Sequence, residues 1–188
     1  SGAICAGWPW AARRIPFRGR KFRIAGLSCR GGYAHSADTA CRNWITHRRR
    51  AFVSRPMMRP VTISRAHAND MAAMLALLRE LFEIERDFEF DADKQARGLA
   101  MLLQSPSATA LVARESHAVI GMTSVQLVIS TAEGAHSAWI EDVCVAGTAR
   151  RRGVGRLLVE AALDWARSRG ATRALLLADL DNAPALAF

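Results

Sequence analysis

Residues 58–188 predict an α/β domain, and three observations carry that expectation. Met71, Met74, Leu75, Leu78, Leu81 and Phe82 recur at i, i+3, i+4 and i+7, which gives a helix one apolar face. Residues 108–113 and 118–129 are β-prone runs joined by the polar Glu115-Ser116-His117. Residues 139–145, an Arg-rich loop, an amphipathic stretch and a further β-prone run then read as strand, loop, helix and strand.

Taken in order, Val61-Thr62-Ile63 is a short strand candidate, and Asn69 or Asp70 can cap the helix behind it. Asp91 or Asp93 can open a second helix running through Leu103, which Ser105-Pro106 ends. Within the long strand, Gly121 marks a bulge or a close backbone approach. A polar loop around Glu133-Gly134 closes a hairpin onto the strand at 139–145. The helix at 153–169 should bury Val154, Leu157, Leu158, Ala161 and Trp165, pair Arg156 with Glu160, and end on Gly170 in the left-handed conformation. A strand at 173–178 follows, and Asp181-Asn182 begins one more helix.

The chain has 188 residues, 51% of them apolar, enough for one domain with an appendage. No apolar run approaches the ~18 residues that a bilayer span needs. The net charge of +9 is unevenly placed. Residues 1–56 hold twelve Lys/Arg and one acid, Asp38, whereas residues 57–188 hold fourteen Lys/Arg and sixteen acids. A nucleic-acid reading must therefore rest on the leader, residues 1–57, and is disfavoured for the body. The leader shows no sustained helical or strand period. It reads as an organelle transit segment, a disordered basic arm, or a stretch without a selected fold, with Met57 and Met58 where the composition changes. Cys5, Cys29, Cys41 and Cys144 form no CxxC pair, so no zinc site, no disulfide framework and a reducing, cytoplasmic setting are expected. Cys144 reads as a small buried hydrophobe.

The most informative segment is Ile140-Glu141-Asp142-Val143-Cys144-Val145 followed by Arg150-Arg151-Arg152-Gly153-Val154-Gly155-Arg156. A helix N-terminus exposes unpaired N–H groups and the positive end of its dipole, so it favours an anion. Glycines let a pyrophosphate approach the backbone, and arginines add charge-assisted bonds. A P-loop would need Lys-Ser/Thr after Gly155, where Arg156-Leu157 stands. A dinucleotide fingerprint would need a small residue at Leu158 and an early βαβ unit. The pattern Arg/Gln-x-x-Gly-x-Gly/Ala is met by Arg150 to Gly155 at every fixed position. The bland alternative is a tight helix entry beside a solvated arginine loop.

With its flanking strands, its helix and the later Asp181-Asn182-Ala183-Pro184-Ala185-Leu186-Ala187-Phe188, this segment resembles the GNAT superfamily, and within it diamine and related small-amine acetyltransferases. The resemblance covers residues 58–188. It implies the acyl-CoA N-acyltransferase fold, a mixed and mostly antiparallel sheet flanked by helices, with acetyl-CoA as cosubstrate and no metal. It implies that Arg151, Arg152, Gly153, Val154, Gly155 and Arg156, with Arg150 at the head of the motif, hold the coenzyme pyrophosphate. It implies that Val143, Cys144 and Val145 pair with the pantetheine arm through main-chain groups, and that Asn182 touches that arm. Dimers are common in the family.

An alkyl ammonium has a pKa of about 10.4, so acetylating an amine requires a group that takes its proton. Glu141 and Asp142 are adjacent in a strand and should face opposite sides of the sheet. The resemblance implies that Glu141 contacts the acceptor amine; otherwise it pairs with a surface arginine. Glu80, Glu83, Glu85, Asp87, Glu89, Asp91 and Asp93, opposed by Arg86, form either a solvated helix end or a wall that concentrates a cation. By resemblance Glu85 holds the substrate amine, so a small cationic acceptor is expected. The resemblance also implies that the last two strands and a tyrosine after the position of Phe188 are missing. An exposed strand edge, weak coenzyme binding and low activity would follow. A coenzyme-binding remnant without catalysis is the second functional reading.

Overall fold

The computed structural model describes residues 14–17, 20–28, 60–85, 89–179 and 182. Among these, seven strands form one sheet: β1 (Arg14–Phe17), β2 (Arg20–Ser28), β3 (Val61–Arg65), β4 (Ala108–Glu115), β5 (Ala118–Ser130), β6 (Ala135–Val145) and β7 (Ala171–Asp179). Their spatial order is β1-β2-β7-β6-β5-β4-β3. The helices α1 (Met71–Ile84), α2 (Ala92–Gln104) and α3 (Val154–Ser168) cover the two faces. All strand pairs are antiparallel except β6 with β7, which the α3 crossover makes parallel. The sheet is therefore mixed and mostly antiparallel, as the resemblance implies.

Each face has its own core. On one, Val154, Leu158, Ala162 and Ala166 of α3 bury against Val125, Ala138, Ile140 and Ala174. On the other, Met74, Leu77, Leu78 and Leu99 of α1 and α2 bury against Ala110, Val112, Met122 and Cys144. Small residues dominate the α3 contact, so that helix lies close to the sheet. Its buried stripe is rotated from the expected one: Leu157 is 40% exposed, and Ala161 and Trp165 are half-buried.

Local chemistry explains the ends. Asp91 caps α2, its carboxylate accepting from the amides of Asp93 and Lys94 (3.0 and 3.1 Å). Asp70 precedes α1 but its side chain does not cap it. Instead its carboxylate accepts from the His67 amide (2.9 Å) and from Arg114 Nη2 (2.6 Å). Burial pushes the Asp70 carboxyl up, but those two partners outweigh it and hold it below the usual carboxylate range. Gly170, at φ 80°, ends α3 as expected.

Two expectations fail in the sheet. Strand β6 begins at Ala135, four residues before Trp139, because the turn at Gly134 (φ 59°) pairs Ser130 directly with Ala135. The outer edge of β7 is not bare either. Strand β2 pairs with it from Phe22↔Asp179 to Ser28↔Arg173, and β1 pairs with β2 in turn. The leader thus contributes two strands where the sequence shows no strand period. The helix expected from Asp181 lies outside the described residues, except for Asn182, which is half-buried.

Candidate active site

Strand β6 carries the chemistry because its geometry breaks at Glu141-Asp142. Cross-strand pairing runs Ser124↔Glu141 and then Met122↔Cys144, so β6 has one residue more than β5 here. Asp142 sits in this bulge at φ 53°, a conformation uncommon for a residue other than glycine. The Thr123 hydroxyl donates to the Glu141 carbonyl (3.0 Å) and so supports the interrupted ladder.

The bulge overturns the expectation that Glu141 and Asp142 face opposite ways. Glu141 is exposed, and its Oε2 accepts from Gln126 Nε2 (3.1 Å). Asp142 is half-buried, and its Oδ2 accepts from the Ser124 hydroxyl (3.1 Å). Ser124 and Gln126 alternate onto one face of β5, so both carboxylates share the α1/α2 side. The extra residue also re-phases the rest of the strand. Val143 and Val145 pack toward the α3 core, whereas Cys144 is buried on the α1/α2 side. Burial pushes the Asp142 carboxyl up to about 6; the Ser124 hydroxyl opposes this and the Glu141 charge adds to it. Burial likewise pushes the Cys144 thiol far up, aided by the Asp142 charge, so Cys144 stays a protonated core residue.

At the same place β6 leaves β7. Their parallel pairing ends at Ile140↔Leu176, although β6 continues to Val145 and β7 to Asp179. The two strands therefore part beside the carboxylates. The segment Glu141–Val145 keeps a ladder with β5 and has none with β7.

The turn after β6 leads straight into α3. Arg151 and Gly153 both adopt left-handed conformations (φ 60° and 80°). Gly153 precedes the helix and supplies no capping side chain. The first helical bond runs from the Leu157 amide to the Gly153 carbonyl (3.1 Å), so the amides of Val154, Gly155 and Arg156 have no intrahelical acceptor. A Cβ at Gly153 would meet nothing within 4 Å, so the approach to these amides is open. The α3 start also abuts the end of β6. A Cβ at Gly121, the partner of Val145, would lie 3.0 Å from the Cys144 carbonyl oxygen and 3.4 Å from Val154 Cγ1. Gly121 is thus the expected close approach, and the neighbouring register shift on the β4 side supplies the bulge as well.

The loop arginines are mostly engaged. Arg150 Nε donates to the Val145 carbonyl (2.9 Å), and its Nη2 lies 3.3 Å from Glu80 Oε2. The same Glu80 oxygen accepts from the Gly147 amide (2.9 Å), so α1 ties down the turn. Arg152 pairs with Glu115, and Arg156 with Glu160 (2.7 Å), the expected i,i+4 contact. Arg151 is exposed. Glu80 and Asp91 therefore leave the acidic run for structural work, while Glu85 ends α1 on the same side of the sheet as Glu141. Arg86, Asp87 and the remaining leader residues lie outside the described residues. Sequence reasoning missed Ser124 and Gln126, and it placed Glu80 in the acidic run without its role in holding the turn. The first two emerge from counting pairs outward from the Glu133-Gly134 turn, whereas nothing local marks Glu80.

Among the described residues no three His, Cys, Asp or Glu side chains converge as metal ligands. None of the described helices is long and apolar enough to cross a membrane.

Parting parallel strands, an open helix N-terminus at their end and carboxylates on the bulge between them define the class of α/β acyltransferases. Residues 72–188 match the model of the acetyltransferase (GNAT) family, and the chain belongs to that family. A transcriptional regulator from Bacillus halodurans C-125 is similar in structure, with 26% identity and a TM-score of 0.62 over 69% of this chain and 89% of that one. An aminoglycoside acetyltransferase from an uncultured soil metagenomic sample shares 25% identity and a TM-score of 0.54 over 68% and 87%. The ribosomal-protein-alanine N-acetyltransferase of Brucella melitensis biovar Abortus 2308 shares the fold at 22% identity, with a TM-score of 0.57 over 68% and 86%. No curated protein matches the chain in sequence.

Proposed function

We propose that the chain is an acetyl-CoA-dependent N-acetyltransferase acting on the primary amine of a small cationic acceptor. The observation that carries this is the uncapped α3 N-terminus, opened by Gly153 at φ 80°, beside the point where β6 leaves β7. The donor set fits a pyrophosphate: the amides of Val154, Gly155 and Arg156, which have no intrahelical acceptor, the dipole of a fifteen-residue helix, and the exposed Arg151. The segment Val143–Val145, laddered with β5 on one side and without a ladder to β7 on the other, fits an extended amide-bearing arm, which it would pair like a further strand. Asn182 stands past the end of β7, where the family resemblance puts a contact to that arm.

Acetyl-CoA supplies an activated acyl group on a thiolate that leaves readily. The chain supplies orientation and charge. Glu141, exposed on the bulge, meets the incoming amine, and Glu85 on the same side adds negative charge for a cation. An amine acceptor also suits the similar structure named as an aminoglycoside acetyltransferase.

The test is transfer of labelled acetyl from acetyl-CoA to a panel of diamines, aminoglycosides and peptides, alongside calorimetric titration of acetyl-CoA. Gly153→Ala sharpens it. The added methyl touches no protein atom, so the folding cost is the left-handed backbone alone, about 1–2 kcal/mol. Acetyl-CoA affinity should fall at least tenfold with the fold retained. Unchanged affinity would sink the pyrophosphate assignment, and binding without transfer to any amine would mean a coenzyme-binding remnant.

A further inference from the structure

We infer that Asp142 is the group that takes the proton from the acceptor ammonium, and that Glu141 holds the ammonium in place. This rests on the acetyltransferase reading and divides its chemistry between two adjacent carboxylates.

The bulge makes the division. It turns Asp142 onto the same face as Glu141, two residues beyond Ile140, where the β6–β7 pairing ends. Glu141 is exposed and already accepts from the Gln126 amide, which suits an electrostatic anchor for a hydrated cation. Asp142 is half-buried, reached from β5 by one neutral hydroxyl, that of Ser124. The charged groups that bear on it and its neighbour Cys144 are Glu141 on its own strand, Glu80 of α1 and Arg150 of the following turn. Burial therefore strengthens Asp142 as a base. Burial pushes its carboxyl up to about 6 from the ordinary 3.8, so it holds a proton more tightly than an exposed aspartate does. A base that titrates just below neutrality is ionised at working pH and still accepts a proton readily. Its left-handed backbone, strained for a residue with a side chain, is the kind of local cost that a functional position retains.

The step balances. The ammonium nitrogen gives one proton to an Asp142 carboxylate oxygen and keeps the electron pair. That pair forms the new C–N bond while the thioester C–S bond breaks, and sulfur leaves as the thiolate with its bonding electrons. The nitrogen releases its second proton to water, and the Asp142 proton passes to the thiolate or to solvent.

The experiment measures kcat/KM for the best amine from pH 5 to 9 at saturating acetyl-CoA, with acetyl-CoA affinity measured separately by calorimetry. The wild-type profile should fall on the acid side with a midpoint near 6. Asp142→Asn should lower kcat/KM by about 10²-fold or more, remove that acid limb and leave acetyl-CoA affinity unchanged. Asp142→Glu should recover part of the rate. Glu141→Gln should keep the limb and mainly raise the amine KM. Ser124→Ala removes the bond that favours the ionised carboxylate, so the limb should move to higher pH; this variant also serves if Asp142→Asn does not fold. A limb that survives in Asp142→Asn, or is lost in Glu141→Gln, would reassign the proton to Glu141. Failure of the wild type to bind acetyl-CoA would instead remove the acetyltransferase reading beneath the proposal.

Discussion

Asp142 and Asp70 are both shielded carboxylates, yet they act on stability with opposite signs. The folded chain holds the Asp142 proton more tightly than an unfolded chain does, about 6 against 3.8. The ionised carboxylate therefore costs stability above about pH 6, and that cost fades as the pH falls toward 3.8. Asp142→Asn removes the charge, and asparagine tolerates the left-handed conformation. Its melting temperature should exceed that of the wild type at pH 7.5, by the equivalent of about 1–3 kcal/mol, and the gap should close near pH 4. Thermal unfolding at the two pH values checks this. A destabilised Asp142→Asn would mean that the carboxylate is there to hold the bulge. Asp70 runs the other way: Arg114 and the His67 amide hold it low, so its contribution is present above the ordinary carboxylate range and is lost as acid protonates it. Together the pair indicate which carboxylate is built for structure and which bears a cost that function can explain.

The placement of α3 links packing to the site. Its first residue packs beside Gly121, which leaves room for the Cys144 carbonyl and for Leu158 Cδ1, 3.1 Å from where a Cβ would stand. Gly121→Ala should push the helix start away from the end of β6. We expect a loss of about 1–3 kcal/mol in stability, read by denaturant unfolding, together with weaker acetyl-CoA binding. Unchanged values for both would mean that the sheet and helix give way freely. Much of this arrangement is legible in the sequence. The apolar period of α1, a cap at Asp91 or Asp93, the Arg156–Glu160 pair and the Gly170 ending come from spacing alone, and the structure selects Asp91. Counting back from the Glu133-Gly134 turn even puts Ser124 opposite Glu141. The bulge is not legible, because adjacent Glu141 and Asp142 fit equally well a regular strand with one carboxylate on each face. It changes only the phase between two strands, and with it the face that Asp142 takes. The α3 stripe differs from expectation for a related reason. Periodicity bounds the apolar arc, but small residues at Ala162 and Ala166 choose which line within it meets the sheet. Asp70 leaves its expected capping role because its partner, Arg114, is 44 residues away and no local pattern announces it.

Across the molecule, the opening between β6 and β7 depends on what holds β7 from outside. Beyond Leu176, β7 has no ladder with β6, and among the described residues Leu177–Asp179 pair with Ile24, Arg23 and Phe22 of β2 alone. The hairpin of β1 and β2 thus fixes the far wall of the parted strands and covers an edge that would otherwise offer unpaired N–H and C=O groups. A chain lacking residues 1–28 should therefore melt at a lower temperature and associate as its concentration rises, as sedimentation would show. It should also bind acetyl-CoA less tightly than the full chain, because β7 would be free to close on β6 or to fray. A separate peptide of residues 14–28 should reverse both effects by restoring the antiparallel register from Phe22↔Asp179 to Ser28↔Arg173. A shortened chain that stays monomeric, with unchanged melting and acetyl-CoA affinity, would show that β7 keeps its place through β6 and α3 alone.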